Sequence, residues 1–400
     1  MPQKLKNTLL ATIVLLLTIG STFAAPQSNS LNIDLASLRD SGFKLDWVTN
    51  TATKDLRLGT IQGDSFYAID QEDFLNRFDL TSGRWIWSAP VGNKVFDIHS
   101  ISEVEHQNAV YVLSDSVIYV VQQTTGNRPT QDKETGHTPP YQMKLNRLAT
   151  SPAIYTDNSL VYGSSNGDTV WFSPDIGYTE YRYKTGDVIY VNPTLVHGEI
   201  DEEGRRKTAI ISASSDGHVV AVDNSSVRKL WEAKLLNSVE APITSMKVKD
   251  AEGNAKTLVL IAGTDQYLRA IDLETGYPTW KVLTQAPLVD SPAPLGNAVY
   301  QRIPNQGLAK FKANTQSIAG EQVWLKPEIT GNLITTNRKG HLIVWDDNTR
   351  QLQVIDPLLG GTISTIDLPQ FKSLVTDSNE NGTLYAITDE QFIVCLSPRR

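Results

Sequence analysis

Six histidines, one cysteine and 44 acidic side chains are the groups in this 400-residue chain that could bind metal or do catalysis. Hydrolytic zinc sites set two histidines one helical turn apart around a glutamate, so that both nitrogens face one metal. His99, His106, His137, His197, His218 and His341 show neither that spacing nor a His-x-His pair. No Gly-x-Ser-x-Gly elbow and no glycine-rich phosphate loop occurs, so acyl transfer and nucleotide binding lack their usual frames. Cys395 stands alone, which excludes an intramolecular disulfide and a multi-cysteine metal site. It reads as a small core residue. Asp377-Ser378-Asn379-Glu380-Asn381-Gly382 matches the start of a calcium loop, but the closing acid falls on Thr388. A hairpin turn accounts for those residues better. No catalytic, cofactor-binding or metal-binding residue is therefore assigned, and no cofactor is expected.

Two other segments have functional potential of a different kind. The charged run Glu199–Lys207 reads as a solvated hairpin extension, or as an electrostatic docking finger. The stretch Gln122–Tyr141 is the longest interval between strand-like runs, the kind of insertion that carries function on a rigid scaffold or is disordered.

The elements that would hold such segments are strands. Hydrophobic residues make up 40% of the chain and charged residues 20%, enough to build a core and too polar for a polytopic membrane protein. The net charge is −8 with the basic residues scattered, which gives no phosphate-neutralising patch and speaks against nucleic acid. Runs such as Ala109–Leu113 and Val117–Val121, or Leu160–Gly163 and Thr169–Phe172, are β-branched and aromatic and bounded by turn residues. Tight turns between paired runs fall near residues 72, 115, 167, 217, 265, 306, 347 and 389. Their spacing averages about 45 residues, the length of a four-stranded propeller blade. Eight turns predict eight blades.

Further parts recur with the same period. A strand ending in aspartate, a Gly- or Ser-bearing turn and a strand with an aromatic appear as Asp79–Trp87 and Asp272–Trp280. Looser copies run from Asp223 to Trp231, from Asp175 to Tyr181, and through Asp356-Pro357 with Gly360-Gly361. The aspartate can accept N–H groups across the turn, and the glycine can take positive φ. Pro152, Pro193, Pro242 and Pro292 open first strands, where a missing N–H costs no ladder bond. Trp87, Trp231, Trp280 and Trp324 are read as plates between adjacent blades.

This pattern resembles the pyrroloquinoline-quinone-type propeller repeat. Ala270-Ile271-Asp272-Leu273-Glu274-Thr275-Gly276 with Trp280 is the best copy, and Ala221-Val222-Asp223 with Trp231 the next. Chain length and an export signal make it most similar to the BamB outer-membrane-assembly propeller family. That resemblance implies an all-β, eight-bladed propeller of four-stranded antiparallel blades acting as a non-catalytic, extracytoplasmic scaffold for protein partners, including envelope or outer-membrane assembly components. The alternative is a small-molecule or glycan binder, or a quinone-dependent dehydrogenase, using the propeller funnel. Quinone enzymes of the superfamily carry a disulfide of adjacent cysteines against the cofactor, which one cysteine cannot form.

The chain ends complete the expected architecture. Residues 1–25 read as a signal peptide: Lys4 and Lys6, an apolar run from Leu9 to Ile19, then small residues to Ala25. No cysteine follows for an N-terminal lipid anchor, and cleavage would leave no membrane span. Residues 26–42 are expected to be a flexible leader, in which Leu35-Ala36-Ser37-Leu38 could form a short helix, and 43–398 a single monomeric propeller domain in the periplasm or outside the cell. The last unit offers three strands, so Phe43–Val48 is predicted to supply its fourth and close the ring. Seven blades would result instead if Val323–Leu368 formed one irregular unit.

Overall fold

Strand pairing in the computed structural model follows the 45-residue period. It describes residues 31, 33–51, 55–130, 140–200, 204, 206–249, 253–315 and 317–399. Residues 1–25, expected to be a signal peptide, lie outside the described residues. Eight four-stranded antiparallel sheets are present, each joining chain-consecutive strands except the last. Blades 1 to 7 span residues 56–90, 98–144, 154–184, 194–234, 244–283, 293–326 and 332–367. Blade 8 takes three strands from residues 371–398, and Phe43–Asn50 pairs with Phe392–Pro398 as its outer strand. The ring is thus closed by the N-terminal strand. The seven-bladed alternative fails because Gln322–Lys326 completes blade 6 while Asn332–Asp367 forms its own sheet. Every turn used to count the units lies between second and third strands.

Blade-to-blade packing has one recurring joint. The outer-strand tryptophan of one blade lies over the third-to-fourth turn of the next: Trp47 on Gly83, Trp87 on Gly126, Trp231 on Gly276, Trp280 on Gly320 and Trp324 on Gly360. Glycine is required there for two reasons. All five have φ near +70°, and a Cβ would sit 2.3–2.9 Å from the ring or a neighbouring side chain. The indole N–H adds a hydrogen bond across the joint, Trp231 to the Leu273 carbonyl (2.7 Å) and Trp280 to the Ala313 carbonyl (2.8 Å). Trp87 and Trp324 donate likewise to Gln123 and Pro357, whereas the buried Trp47 N–H has no such partner. Cys395 belongs to the core between blades 8 and 1, where burial pushes its thiol up to about 12. An inert core thiol is what that setting produces.

Over its described part the leader contains the short helix that the sequence allowed at Leu35–Leu38. Leu35–Asp40 is a helix, with Asp34 accepting the Ala36 N–H at its start. Leu31, Ile33 and Leu38 are buried with Trp345, Ile366 and Phe371 at the joint between blades 7 and 8. No outer-strand tryptophan serves this joint: Ser364, opposite Val354, stands in blade 7 where Trp280 stands opposite Ala270 in blade 5, and the chain ends replace the usual turn of blade 8. The leader fills the gap, held by Asn337 Nδ2 to the Ser41 carbonyl (3.0 Å) and Arg399 N–H to the Gly42 carbonyl (2.8 Å).

Candidate protein-docking face

Each blade has its second-to-third turn on the same side of the ring as the connection from its outer strand to the next blade. The turn carboxylates hold those connections. Asp73 accepts the Lys94 N–H (2.6 Å) and pairs with Arg57; Asp115 accepts the Asp97 N–H (3.2 Å) and meets His99 Nε2 at 2.7 Å. Asp265 accepts the Leu236 N–H (3.2 Å) and both arms of Arg269 at 2.8 and 2.5 Å. Asp216 accepts from Ser214, the Asp187 N–H, His218 and Lys234. Burial by itself would raise the Asp216 carboxyl; these donors hold it well below the usual carboxylate range. The same opposition acts at Asp265, where Arg269 outweighs burial. These acids and the two histidines beside them are structural clamps, satisfied within the fold.

Their linkage has a definite sign. A carboxyl lowered by folding stabilises the protein above its unfolded value of about 3.9, and that stabilisation is lost as pH falls through the folded value. Asp265→Asn is expected to cost about 2 kcal/mol at pH 7, because it strands the buried Arg269. The gap between the two proteins' denaturation midpoints should narrow only below about pH 4. A gap that stayed constant down to pH 2 would contradict the clamp.

The connections at this end of the ring carry apolar side chains outward. Val95, Leu148, Tyr190, Leu236 and Val289, one from each of five connections, are all exposed, Leu236 to 86%. Beside Leu236 a groove of about 340 Å³ runs between blades 4 and 5, with Tyr267 and Pro278 in its wall. Arg269 lies 4.9 Å and Lys281 Nζ 5.4 Å from the centre of the Tyr267 ring. An apolar knob beside a preformed groove with cationic walls suits a protein surface better than a reaction.

The segments singled out in the sequence lie elsewhere. His106 stacks obliquely with Tyr155, His197 is exposed on blade 4, and His137 falls outside the described residues. Among the described residues no three His, Cys, Asp or Glu side chains are placed to hold a metal ion. The Asp377–Gly382 segment is a hairpin connection whose aspartate accepts the Thr383 N–H at 2.7 Å. In the charged run, Glu199 pairs with Lys247 (3.1 Å), while 201–203 and 205 fall outside the described residues. Residues 131–139 of the long insertion do too; its flanks pack back on blades 1 and 2, with Arg128 over Tyr141. The exposed connection residues were missed because single apolar residues in loops have no periodicity to mark them.

The ring axis holds a cavity of about 320 Å³ beside blades 5 to 8, lined by Thr244, Pro292, Pro294, Leu333, Ile334 and Asn379 among others. No lining side chain is charged. Pyrroloquinoline quinone is a tricarboxylate held with calcium, and needs cations and carboxylates around it. These residues do not fit it.

Eight four-stranded blades, five of their joints made by tryptophan-on-glycine contacts, make this a pyrroloquinoline-quinone-type β-propeller in fold. A family model described as "Outer membrane protein assembly factor BamB" matches residues 215–349, about a third of the chain. The structure is similar to that of BamB from Moraxella catarrhalis, with a TM-score of 0.64 at 15% identity over 89% of this chain and 97% of that one. Quinohemoprotein alcohol dehydrogenase from Comamonas testosteroni gives 0.61 at 10% identity, covering 91% and 77%. The computationally designed protein Ika8 gives 0.56 at 12%, covering 86% and 96%. No curated protein matches the chain in sequence. The chain is thus a BamB-like propeller, and at these identities the structural likeness speaks for fold alone.

Proposed function

We propose that this protein is a non-catalytic scaffold in outer-membrane protein assembly, exported to the periplasm with residues 1–25 removed and working as a monomeric propeller, 43–398. The match to the BamB family model supports the setting. The observation that carries the docking role is Leu236, presented on a connection that Asp265 fixes in place. A held loop loses little entropy on binding, so its apolar side chain contributes more of its burial energy to the complex. Among the described residues no helix is long and apolar enough to cross a membrane. The partner is an envelope or outer-membrane assembly protein. No step through a quinone enters this reading, because the axial cavity lacks the charges to hold one.

Leu236→Asp is expected to weaken capture of assembly components from detergent-solubilised envelopes at least about tenfold, the loss typical of a central apolar contact. The thermal midpoint should stay unchanged, since the side chain is in solvent. Undiminished capture by the variant, or capture of no assembly component by the wild type, would refute the reading.

A further inference from the structure

The third-to-fourth turns offer an internal comparison within one chain. In blades 1, 2, 3, 4, 5 and 7 the last turn residue donates its N–H to the carbonyl four positions earlier, so the turns align residue by residue. The two positions before that last residue are Thr81-Ser82, Thr124-Thr125, Asp175-Ile176, Ser225-Ser226 and Glu274-Thr275 in the first five. Each pair keeps a polar group for solvent. Blade 7 puts Leu358 and Leu359 there, 75% and 73% exposed. The tip is held rigidly: Asp356 Oδ1 accepts the Leu358 N–H (2.8 Å), and Lys310 Nζ donates to the Pro357 carbonyl (2.7 Å). Two adjacent leucines on a fixed convex turn are surplus to the fold, because no core lies beneath them.

Strand register places cations beside this tip. Leu342 pairs with Ile355, which sets the turn of residues 337–341, with Arg338 and Lys339 exposed, next to the turn of residues 356–361. Asn337 in turn holds the Ser41 carbonyl, and the Arg399 N–H holds that of Gly42, which brings Arg39 and Arg399 to the same end of blades 7 and 8. All four cations are exposed, and none makes an ion pair or side-chain hydrogen bond among the described residues. Of the acids at this end, Asp34, Asp356 and Asp377 accept backbone N–H groups, leaving Asp40 and Glu380 against the four cations. The local sign is thus opposite to the −8 of the whole chain. A hollow of about 390 Å³ opens here too, lined by Leu35, Phe43 and Leu45 with Arg39 and Arg399 among others. Apolar tips sink into the acyl boundary of a bilayer while flanking Lys and Arg meet anionic headgroups. A protein partner would need a seat shaped for the convex tip, whereas a bilayer yields to it anywhere on its surface.

We infer that this end of blades 7 and 8, led by Leu358 and Leu359, docks on the surface of an anionic lipid bilayer. The Leu236 connections lie at the opposite end of the ring and so face away from the membrane, free for a protein. Co-sedimentation with vesicles tests the inference, using the chain without residues 1–25, which keeps every described residue. Saturable binding is expected to vesicles of equimolar phosphatidylglycerol and phosphatidylcholine, and little to phosphatidylcholine alone. The half-saturating lipid concentration should rise at least about tenfold when Leu358→Ser and Leu359→Ser are combined, and likewise for Arg338→Gln with Lys339→Gln. These positions are exposed, so the thermal midpoints should not move and a binding loss reports the surface. Leu236→Asp should bind vesicles as the wild type does, which separates this surface from the assembly reading: either can fail without the other. No binding to the anionic vesicles, equal binding to phosphatidylcholine, or undiminished binding by the double leucine variant would refute the inference. If that variant instead lost capture of envelope proteins with vesicle binding intact, the tip would be a protein-docking element and not a membrane one.

Discussion

Deleting the N-terminal segment through Asn50 is expected to leave a chain with no cooperative unfolding transition that aggregates on expression. Phe43–Asn50 supplies an entire strand of blade 8, in register with Phe392–Pro398 at seven positions. Its loss uncovers the backbone edge of Phe392–Pro398, a template for unwanted strand pairing. It also removes core from two joints at once. Leu31, Leu38 and Phe43 leave the blade 7–8 joint, and Trp47 leaves the blade 8–1 joint, where it covers Gly83. Each such side chain contributes about 1.5–3 kcal/mol by burial, so their sum rivals a typical total stability of about 5–15 kcal/mol. Near-UV circular dichroism and a denaturant titration would read the result. A synthetic peptide covering residues 31–50 should restore the transition in trans, because the strand is held by pairing and packing alone. A soluble truncated chain with an unaltered midpoint would show that the ring does not depend on this closure.

Trp280→Ala is expected to cost about 3–5 kcal/mol, the range for emptying a buried tryptophan site. Trp280 is fully buried, packs beneath Gly320, and donates to the Ala313 carbonyl at 2.8 Å. Alanine leaves a cavity between blades 5 and 6, and leaves that carbonyl without its donor. Trp85→Ala is the control. Trp85 sits two residues before Trp87 on the outer strand of blade 1 but is 52% exposed, and its loss should cost well under about 1 kcal/mol. The comparison uses denaturant midpoints at unchanged slope, so that the difference reports stability. Equal effects from the two substitutions would show that burial in the joint is not what these tryptophans supply.

Much of the fold was legible because its parts recur. A two-residue turn, an aspartate that caps the next turn, a glycine and a tryptophan each carry a local conformational or packing requirement, and eight copies make the requirement visible. Asp272 shows this: its carboxylate accepts the Glu274 and Thr275 N–H groups at 2.9 and 2.8 Å, as its place before Thr-Gly suggests. The looser copy in blade 3 was placed two residues late. Ser173, not Asp175, holds the turn position, because the Gly177 N–H returns to the Ser173 carbonyl. The short helix of the leader could be named from the sequence, but not what holds it. A six-residue helix has weak local propensity, and what orders Leu35–Asp40 is the vacancy between blades 7 and 8, where no tryptophan stands.

The candidate sites were less legible, and the cause is physical. Leu236 differs in no local property from its buried neighbour Leu235. Leu235 is 5% exposed while its neighbour stands in solvent, a difference made by how Asp265 holds the connection. Tyr181 is exposed because Trp171, ten residues earlier, already fills the slot between the blades. The amino-acid sequence by itself determined the 45-residue period and ruled out a disulfide of adjacent cysteines, since each follows from local periodicity or residue count; strand pairing decided between seven and eight blades. Only the tertiary structure decided which apolar side chains face outward and which carboxylates are spent on the fold. Those outcomes depend on competition between residues of adjacent blades for one space, and neighbouring blades meet only when the ring is built.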